Sequence, residues 1–344
     1  MTVLEVRPIL GVPEVRGGDN VGDLLMRALT ASGEALVEGD ILVVTSKIVS
    51  KADGLLATDA ERTDLVLRES SRVVSERSTS TGVTRVVAAL AGPVMAGAGI
   101  DASNVGDYEA LLLPHDPDGA AHVVRSQLRD AGAPDRVGVV LSDTAGRPWR
   151  GGLTDFALGL AGIRALDDLR GAHDVDGREM AVTIRCLADE IAAAADLVKG
   201  KVEAVPAAVV RGLGTVVVTE NGDAARNLVR AGPEDWFALG RAEAVRDALG
   251  ITAGSDASTF VGIESVHPES LSERIERALR VAAYSETDTV QWEVNGADLT
   301  GTSDNSLLLG RSWARVEVAL AGERLTTQVR DSRPHQVLLT VRER

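Results

Sequence analysis

The run Asp40-Ile-Leu-Val-Val-Thr45 is apolar and β-branched between two polar ends, and it reads as a strand. Ahead of it, Val21 to Ala31 carries apolar residues at helical spacing behind an Asp19/Asn20 cap, and Val3 to Leu10 reads as another strand. A chain that opens β-α-β must pack helices against a sheet. Further along, Thr58-Asp-Ala-Glu61 has the spacing of a capping box and predicts a charged helix to about Glu76, followed by a strand from Thr84 to Leu90. Leu111 to Leu113 reads as a short buried strand, Pro114 to Gly119 as a turn and Ala120 to Ala131 as a helix. Val137-Gly-Val-Val-Leu141 is the clearest buried strand, and it is expected to stop at Ser142-Asp-Thr-Ala-Gly146. The longest helix is expected from about Glu179 to Val198, with a strand resuming at Ala207 to Val210.

With 344 residues, about two domains are expected at roughly 150 residues each. The pattern changes near Gly250, so the expected division is 1–248 and 249–344. The first part is α+β in the mixed α/β sense, and the second is a small α+β extension. In the extension, Ser270 to Tyr284 reads as a helix, while Gln291-Trp-Glu-Val, Ala314-Arg-Val-Glu-Val and Gln336-Val-Leu-Leu-Thr-Val read as alternating strands, with Asn295-Gly296 as a hairpin signal. Trp292 and Trp313 are expected either to form the core of this module or to bury against the larger body or a second copy of the chain.

Charge narrows the function. Thirty-six basic residues against 51 acidic ones leave a net charge of −15, which disfavours nucleic acid as a partner. Neither a signal peptide nor an apolar run long enough to span a membrane is visible, so a cytoplasmic protein is expected. The single cysteine, Cys186, cannot close an intrachain disulfide and reads as a small buried apolar residue. Only four of the basic residues are lysines, and they form two close pairs, Lys47 with Lys51 and Lys199 with Lys201. Lysine retained in an arginine-rich chain suits a narrow site that needs a compact point charge, and phosphate oxygens are the usual ligand of such a site.

No P-loop pattern is present. Gly97-Ala-Gly-Ile-Asp-Ala102 satisfies the dinucleotide fingerprint, but too little chain follows for a crossover helix. The same loop offers Asp101 and Asn104, and Asp143-Thr144 follows the strongest strand. Carboxylates with a hydroxyl are hard oxygen donors suited to Mg²⁺ or Mn²⁺, although an aspartate after a strand also serves as a turn former or cap. Arg147 and Arg150, around Trp149 and ahead of Gly151-Gly152, could clamp an anion or simply form surface ion pairs. No histidine has a partner at ligand spacing.

In order, Thr45-Ser-Lys-Ile-Val-Ser-Lys-Ala-Asp-Gly54, Ala98-Gly-Ile-Asp-Ala-Ser-Asn-Val105, Leu111-Leu-Leu-Pro, Asp116-Pro-Asp-Gly119, Ser142-Asp-Thr-Ala-Gly-Arg147, Cys186-Leu-Ala-Asp-Glu-Ile-Ala192 and Pro206-Ala-Ala-Val-Val-Arg-Gly212 strongly resemble the coenzyme F420:L-glutamate ligases. The resemblance covers about residues 3 to 240. It implies a ligase that uses GTP and Mg²⁺ or Mn²⁺, with potassium as a further ion, to add L-glutamate to the lactyl carboxylate of a phospholactyl deazaflavin. It further implies extension of a γ-linked glutamate tail and a butterfly-shaped homodimer with sites near the interface. By the same resemblance, Asp101, Asp143 and Thr144 are metal ligands, Asn104 contacts GTP, and Ser46 and Lys51 contact the nucleotide. Val12-Pro-Glu-Val15 and the loop Lys199-Gly-Lys-Val-Glu-Ala-Val205 match the remaining nucleotide-binding segments. Lys51, Arg147 and Arg150 are the residues expected to serve catalysis.

The chain departs from archaeal members in two places. Lys47 stands where they have a small hydroxyl residue, and Lys201 stands where they have an acidic metal ligand. Glu203 is one candidate for the missing carboxylate, and neutralisation of phosphate by Lys201 is the other reading. Mycobacterial-type relatives carry a fused FMN-dependent domain. The extension is too short for that domain, so no FMN is expected. Two other classes remain to be separated by experiment: a GTP-binding regulator without turnover, and a dinucleotide oxidoreductase built on Gly97 to Ala102.

Overall fold

A computed structural model describes residues 3–57, 62–103, 110–200, 202–286 and 290–344. The chain divides into two units, Met1–Glu69 with Ala88–Glu234, and Ser70–Val87 with Asp235–Arg344. The second unit thus takes in residues 70–87 and 235–248 as well as the expected extension.

In the first unit, β1 (Glu5–Pro8) leads to helix α1 (Val21–Ala31), strand β2 (Ile41–Thr45) and helix α2 (Ser46–Ala52). After a region of short elements come α3 (Pro117–Asp130), β3 (Gly138–Arg147), β4 (Arg150–Ala161), α4 (Leu187–Asp196) and β5 (Ala207–Arg211). The sheet order is β1-β5-β2-β3-β4. Only β2 and β3 run parallel, with Ile41 opposite Gly138 and Thr45 opposite Ser142, and the other neighbours are antiparallel. Asn20 caps α1 as expected, accepting a hydrogen bond from the Asp23 N–H.

The apolar runs are unbroken because both faces of the sheet are covered. Leu42, Val44, Val139, Leu141 and Val209 pack with Leu25, Leu29, Val124 and Leu128 on one face. Ile41, Val43, Val140, Ala208 and Val210 pack with Ala188, Ile191, Ala192 and Ala195 on the other. Gly159 of β4 lies so close to α3 that an added Cβ would stand 2.2 Å from the Pro117 carbonyl oxygen, so glycine is required for this approach.

Several expectations are corrected. The strand at Val137 to Leu141 does not stop at Ser142: it continues to Arg147 and turns directly into β4, where Thr144 pairs with Asp155 and Arg147 with Arg150. The long helix shrinks to α4, because Ile184–Cys186 pairs with Leu166–Asp168 as a two-stranded ribbon. The charged helix ends at Arg68, and Ser70–Thr79 is a strand beside Gly82–Ala89. Serine, threonine and valine dominate that strand and favour extended backbone, and its buried Glu76 is neutralised by Arg85 at 3.2 Å rather than exposed on a helix. One expectation holds: Asp101 bridges Leu111 in antiparallel fashion, in keeping with too little chain after Gly97–Gly99 for the crossover helix of a dinucleotide fold.

In the second unit, strands Gln291–Asn295, Asp298–Thr302, Leu325–Arg333 and Gln336–Glu343 form an antiparallel sheet, with Asn295 opposite Asp298 at the expected hairpin. Ser270 begins the helix Leu271–Ala283 with a complete capping box. Ala314 to Val318, expected as a strand, lies inside the helix Ser306–Gly322. Its local alternation is overridden by Leu309, Val316 and Leu320, which put the helical period against the core. Trp292 and Trp313 pack on that same core, with Trp292 Nε1 donating to Ser312 Oγ at 2.9 Å. Glu76 of the 70–79 strand accepts from Ser258 Oγ and from the Gly254 N–H, and Glu243 accepts from the Glu76 N–H at 3.0 Å. These buried contacts make residues 70–87 part of the second unit.

Candidate functional site

Because β2 and β3 are parallel neighbours, their carboxyl ends open on the same edge of the sheet, where ligands of such sheets bind. A cavity of about 680 Å³ lies there. Its walls are the Val12–Val15 segment after β1, the α2 residues Ser46, Lys47, Ser50 and Lys51, and Asp101 beyond the glycine turn. Leu111, Leu112 and Leu113, the β3 pair Asp143 and Thr144, Asp155 of β4 and, from the end of α4 onward, Asp196, Lys199, Gly200, Val202 and Ala204 to Pro206 complete it. That last segment is anchored to β2 by the Thr45 N–H donating to the Pro206 carbonyl at 2.9 Å.

Three lysines enter the cavity, and each meets a carboxylate. Lys47 Nζ stands 2.8 Å from Asp101 Oδ2 and donates to Ser103 O and Oγ at 2.6 and 2.8 Å. Lys51 Nζ pairs with Glu14. Lys199 Nζ pairs with Asp155 and donates to Ser142 Oγ at 2.6 Å. Thr144 Oγ1 donates to Asp155 Oδ1 at 2.7 Å, and Ser46 Oγ donates to Asp143 Oδ1 at 3.3 Å.

The two expected metal-ligand aspartates differ electrostatically. Burial pushes the Asp143 carboxyl up to about 7, and the negative charges of Asp155 and Asp101 add to this against hydrogen bonds from the Thr144 N–H and Ser46. For Asp101, burial also acts upward, but the hydrogen bond from Lys47 and those from Ser103 outweigh it and hold the carboxyl below its ordinary value. The lining holds five carboxylates, Glu14, Asp101, Asp143, Asp155 and Asp196, against Lys47, Lys51 and Lys199 among the described residues. Among those residues no cluster of three or more His, Cys, Asp or Glu is arranged to hold an ion without help from a ligand.

Comparison with known proteins fits this geometry. The sequence profile of the F420-0:Gamma-glutamyl ligase family matches residues 10–61 and 55–212, which include every wall of the cavity. The chain belongs to that family. It is 38% identical over 230 residues to the coenzyme F420:L-glutamate ligase of Archaeoglobus fulgidus, covering 61% of this chain and 88% of that protein. The ligase of the same description from Methanothermobacter thermautotrophicus is 40% identical over 223 residues, 59% of this chain and 86% of its own length. For Haloarcula marismortui the figures are 36% over 272 residues, 72% and 97%. As a member of this ligase family, the protein is an amide-bond-forming enzyme.

In this member of the family, the fold gathers most of the residues singled out in the sequence. Val12, Pro13, Glu14, Val15, Ser46, Lys47, Lys51, Asp101, Asp143, Thr144, Lys199, Gly200, Val202, Ala204 and Val205 all line the one cavity. Glu203 does not line it: its carboxylate folds back over Gly200 and is exposed. Asn104 and Lys201 lie outside the described residues. Arg147 and Arg150 face each other at the exposed end of the β3–β4 hairpin and do not line the cavity. Cys186 is half-buried just before α4 rather than fully buried, and burial, helped by the charge of Asp189, pushes its thiol up to about 11. Asp155, Asp196 and Ser142 are cavity or near-cavity groups that the sequence reading missed. Asp155 reaches Thr144 only through the β3–β4 register, which no local motif announces.

Proposed function

We propose that the protein ligates L-glutamate to the lactyl carboxylate of a phospholactyl deazaflavin, coenzyme F420-0, at the expense of GTP, and extends the γ-linked glutamate tail. The observation that carries this reading is the grouping of three lysines and five carboxylates in one cavity at the carboxyl edge of β2 and β3. A free carboxylate is a poor acyl donor. Transfer of the γ-phosphoryl group of GTP to its oxygen makes an acyl phosphate, with GDP leaving. The glutamate amine then attacks the acyl carbon, the C–O bond to phosphate breaks, and the amine gives up a proton as the amide forms. Phosphoryl transfer is governed by positioning and charge neutralisation, which compact ammonium groups at Lys47, Lys51 and Lys199 supply.

The donor set fits a hard divalent ion. Burial, with the added negative charges of Asp155 and Asp101, lifts the Asp143 carboxyl to about 7, and a cation beside it would relieve that penalty on the ionised form. Asp101, Asp143 and the Thr144 oxygen would hold Mg²⁺ or Mn²⁺, with nucleotide phosphates and water completing the shell. When bound, the ion supplies charge neutralisation to the phosphate oxygens. Ser46 keeps Asp143 oriented, and Lys47 keeps Asp101 ionised. Arg147 and Arg150 are given no part in this cavity. Assembly as a homodimer belongs to the same proposal, and light scattering of the purified chain tests it.

The deciding experiment is mass spectrometry of F420-0 incubated with the protein, GTP, Mn²⁺ and glutamate. A gain of one or more glutamyl residues with stoichiometric GDP supports the reading. GTP binding without either product would leave a regulator instead.

A further inference from the structure

Asp155 lies on β4 directly opposite Thr144 on β3, and only 4% of its side chain is exposed. Its two oxygens serve two different partners. Oδ1 accepts from Thr144 Oγ1 at 2.7 Å, and Oδ2 accepts from Lys199 Nζ. A threonine hydroxyl has one proton and two lone pairs. With its proton directed to Asp155, Thr144 presents only acceptor lone pairs to the cavity, a face suited to a cation and unable to donate to a phosphate oxygen. Lys199 is constrained in the same way. Of its three N–H bonds, one is taken by Asp155 and one by Ser142 Oγ, which leaves one for a ligand.

We infer that Asp155 is a positioning residue of this ligase site, which fixes Thr144 as a cation acceptor and Lys199 as a single-donor phosphate contact. The inference rests on the reading of Thr144 as a ligand of the divalent ion. A carboxylate that orients a metal ligand without touching the metal typically controls affinity by about 10- to 100-fold. Asp155 does so here by setting the direction of one hydroxyl proton, so an uncharged acceptor at the same place should preserve much of the effect on Thr144.

The test is Mn²⁺ titration of the full-length protein, followed by the electron paramagnetic resonance signal of free Mn²⁺, so that binding is read without turnover. Removing Asp155 alone would strand the Lys199 ammonium in a nearly closed site. The series is therefore built on Lys199→Met, with Asp155→Ala, Asp155→Asn, Thr144→Val and the combination of Asp155→Ala with Thr144→Val added to it. In that background, Asp155→Ala and Thr144→Val should each weaken Mn²⁺ binding about 10-fold or more. The combination should be no weaker than the worse of the two, because both remove one device. Asp155→Asn, whose amide oxygen still accepts from Thr144, should recover most of the affinity that Asp155→Ala loses. If Thr144→Val leaves Mn²⁺ affinity unchanged, the ligand reading on which the inference rests is wrong. If Thr144→Val matters but the losses multiply, or Asp155→Asn is as poor as Asp155→Ala, Asp155 acts only through its charge and the positioning role is refuted.

Discussion

Replacing Asp143 by asparagine should separate stability from function in a pH-dependent way. In the folded protein the Asp143 carboxyl titrates near 7, whereas in an unfolded chain it would titrate near its ordinary value of about 3.9. The folded state therefore favours the protonated form. Asp143 costs the fold nothing below about pH 4, and its destabilising effect grows between about pH 4 and pH 7 and levels off above that. Three units of displacement correspond to at most about 4 kcal/mol above pH 7. Water reaching the half-buried carboxyl through the cavity lowers this, and about 2 kcal/mol is the working figure. Asparagine keeps the volume and the acceptor oxygen for Ser46 but never ionises. In the absence of divalent ions, Asp143→Asn should therefore melt about 4–8 °C above the parent at pH 8, and the gap should shrink to about a third of that at pH 5 and close only below about pH 4. The assay is differential scanning calorimetry at both values in chelator-treated buffer. The same variant should lose about 10²-fold or more in glutamylation, as loss of an oxyanion-neutralising contact commonly does. A melting difference of equal size at pH 5 and pH 8, or an asparagine variant less stable at pH 8, would refute the argument that burial among like charges perturbs this carboxyl.

Other expectations follow from the same geometry. Lys51→Arg should impair GTP binding almost as much as Lys51→Ala, since the wider guanidinium must replace a compact ammonium that is 12% exposed beside Glu14; equilibrium binding with full affinity for the arginine variant would show that only charge matters there. Truncation after residue 249 should give aggregation, because the buried Glu76 loses Ser258 and the Gly254 N–H and the apolar core of residues 251–341 is removed from beside Leu249; a soluble, monodisperse product by gel filtration would contradict this. Purified full-length protein should show no flavin absorbance, and a stoichiometric flavin spectrum would overturn the reading of the C-terminal region.

How much of this was legible in the sequence depended on the range of the interaction. The β2 and β3 runs, the Asn20 cap and the helix beginning at Ser270 depend on neighbours a few residues away, and all of them appear in the structure. The lysine count was equally informative, since Lys47, Lys51 and Lys199 do converge on one cavity. What failed was set by distant partners. Ser70 to Glu76 looked like the end of a charged helix because nothing local says that Glu76 will be buried against Arg85 and Ser258. The strand inferred at Ala314 to Val318 had two-residue alternation over only five positions, too short to outweigh the helical spacing of Leu309, Val316 and Leu320. Arg147 and Arg150 looked like a clamp or a surface pair from their place around Trp149 and ahead of Gly151-Gly152, with β3 expected to end at Ser142. The strand runs five residues further and carries them out along the hairpin.

The pairing of every described cavity lysine with a carboxylate has a kinetic consequence. Among the described residues an incoming polyphosphate finds no idle cation, and acidic groups outnumber ammonium groups five to three. At Lys47 and Lys51 entry is an exchange of partners: a phosphate oxygen that takes the place of Asp101 or Glu14 frees a carboxylate of the kind a divalent ion requires, while Lys199 offers its remaining N–H and keeps Asp155. Nucleotide and ion should accordingly arrive together, as a complex nearly matched in charge to the space it fills. Association of such a complex draws little on long-range attraction, so its rate should change only weakly with ionic strength, unlike that of sites that gather anions with an open basic surface.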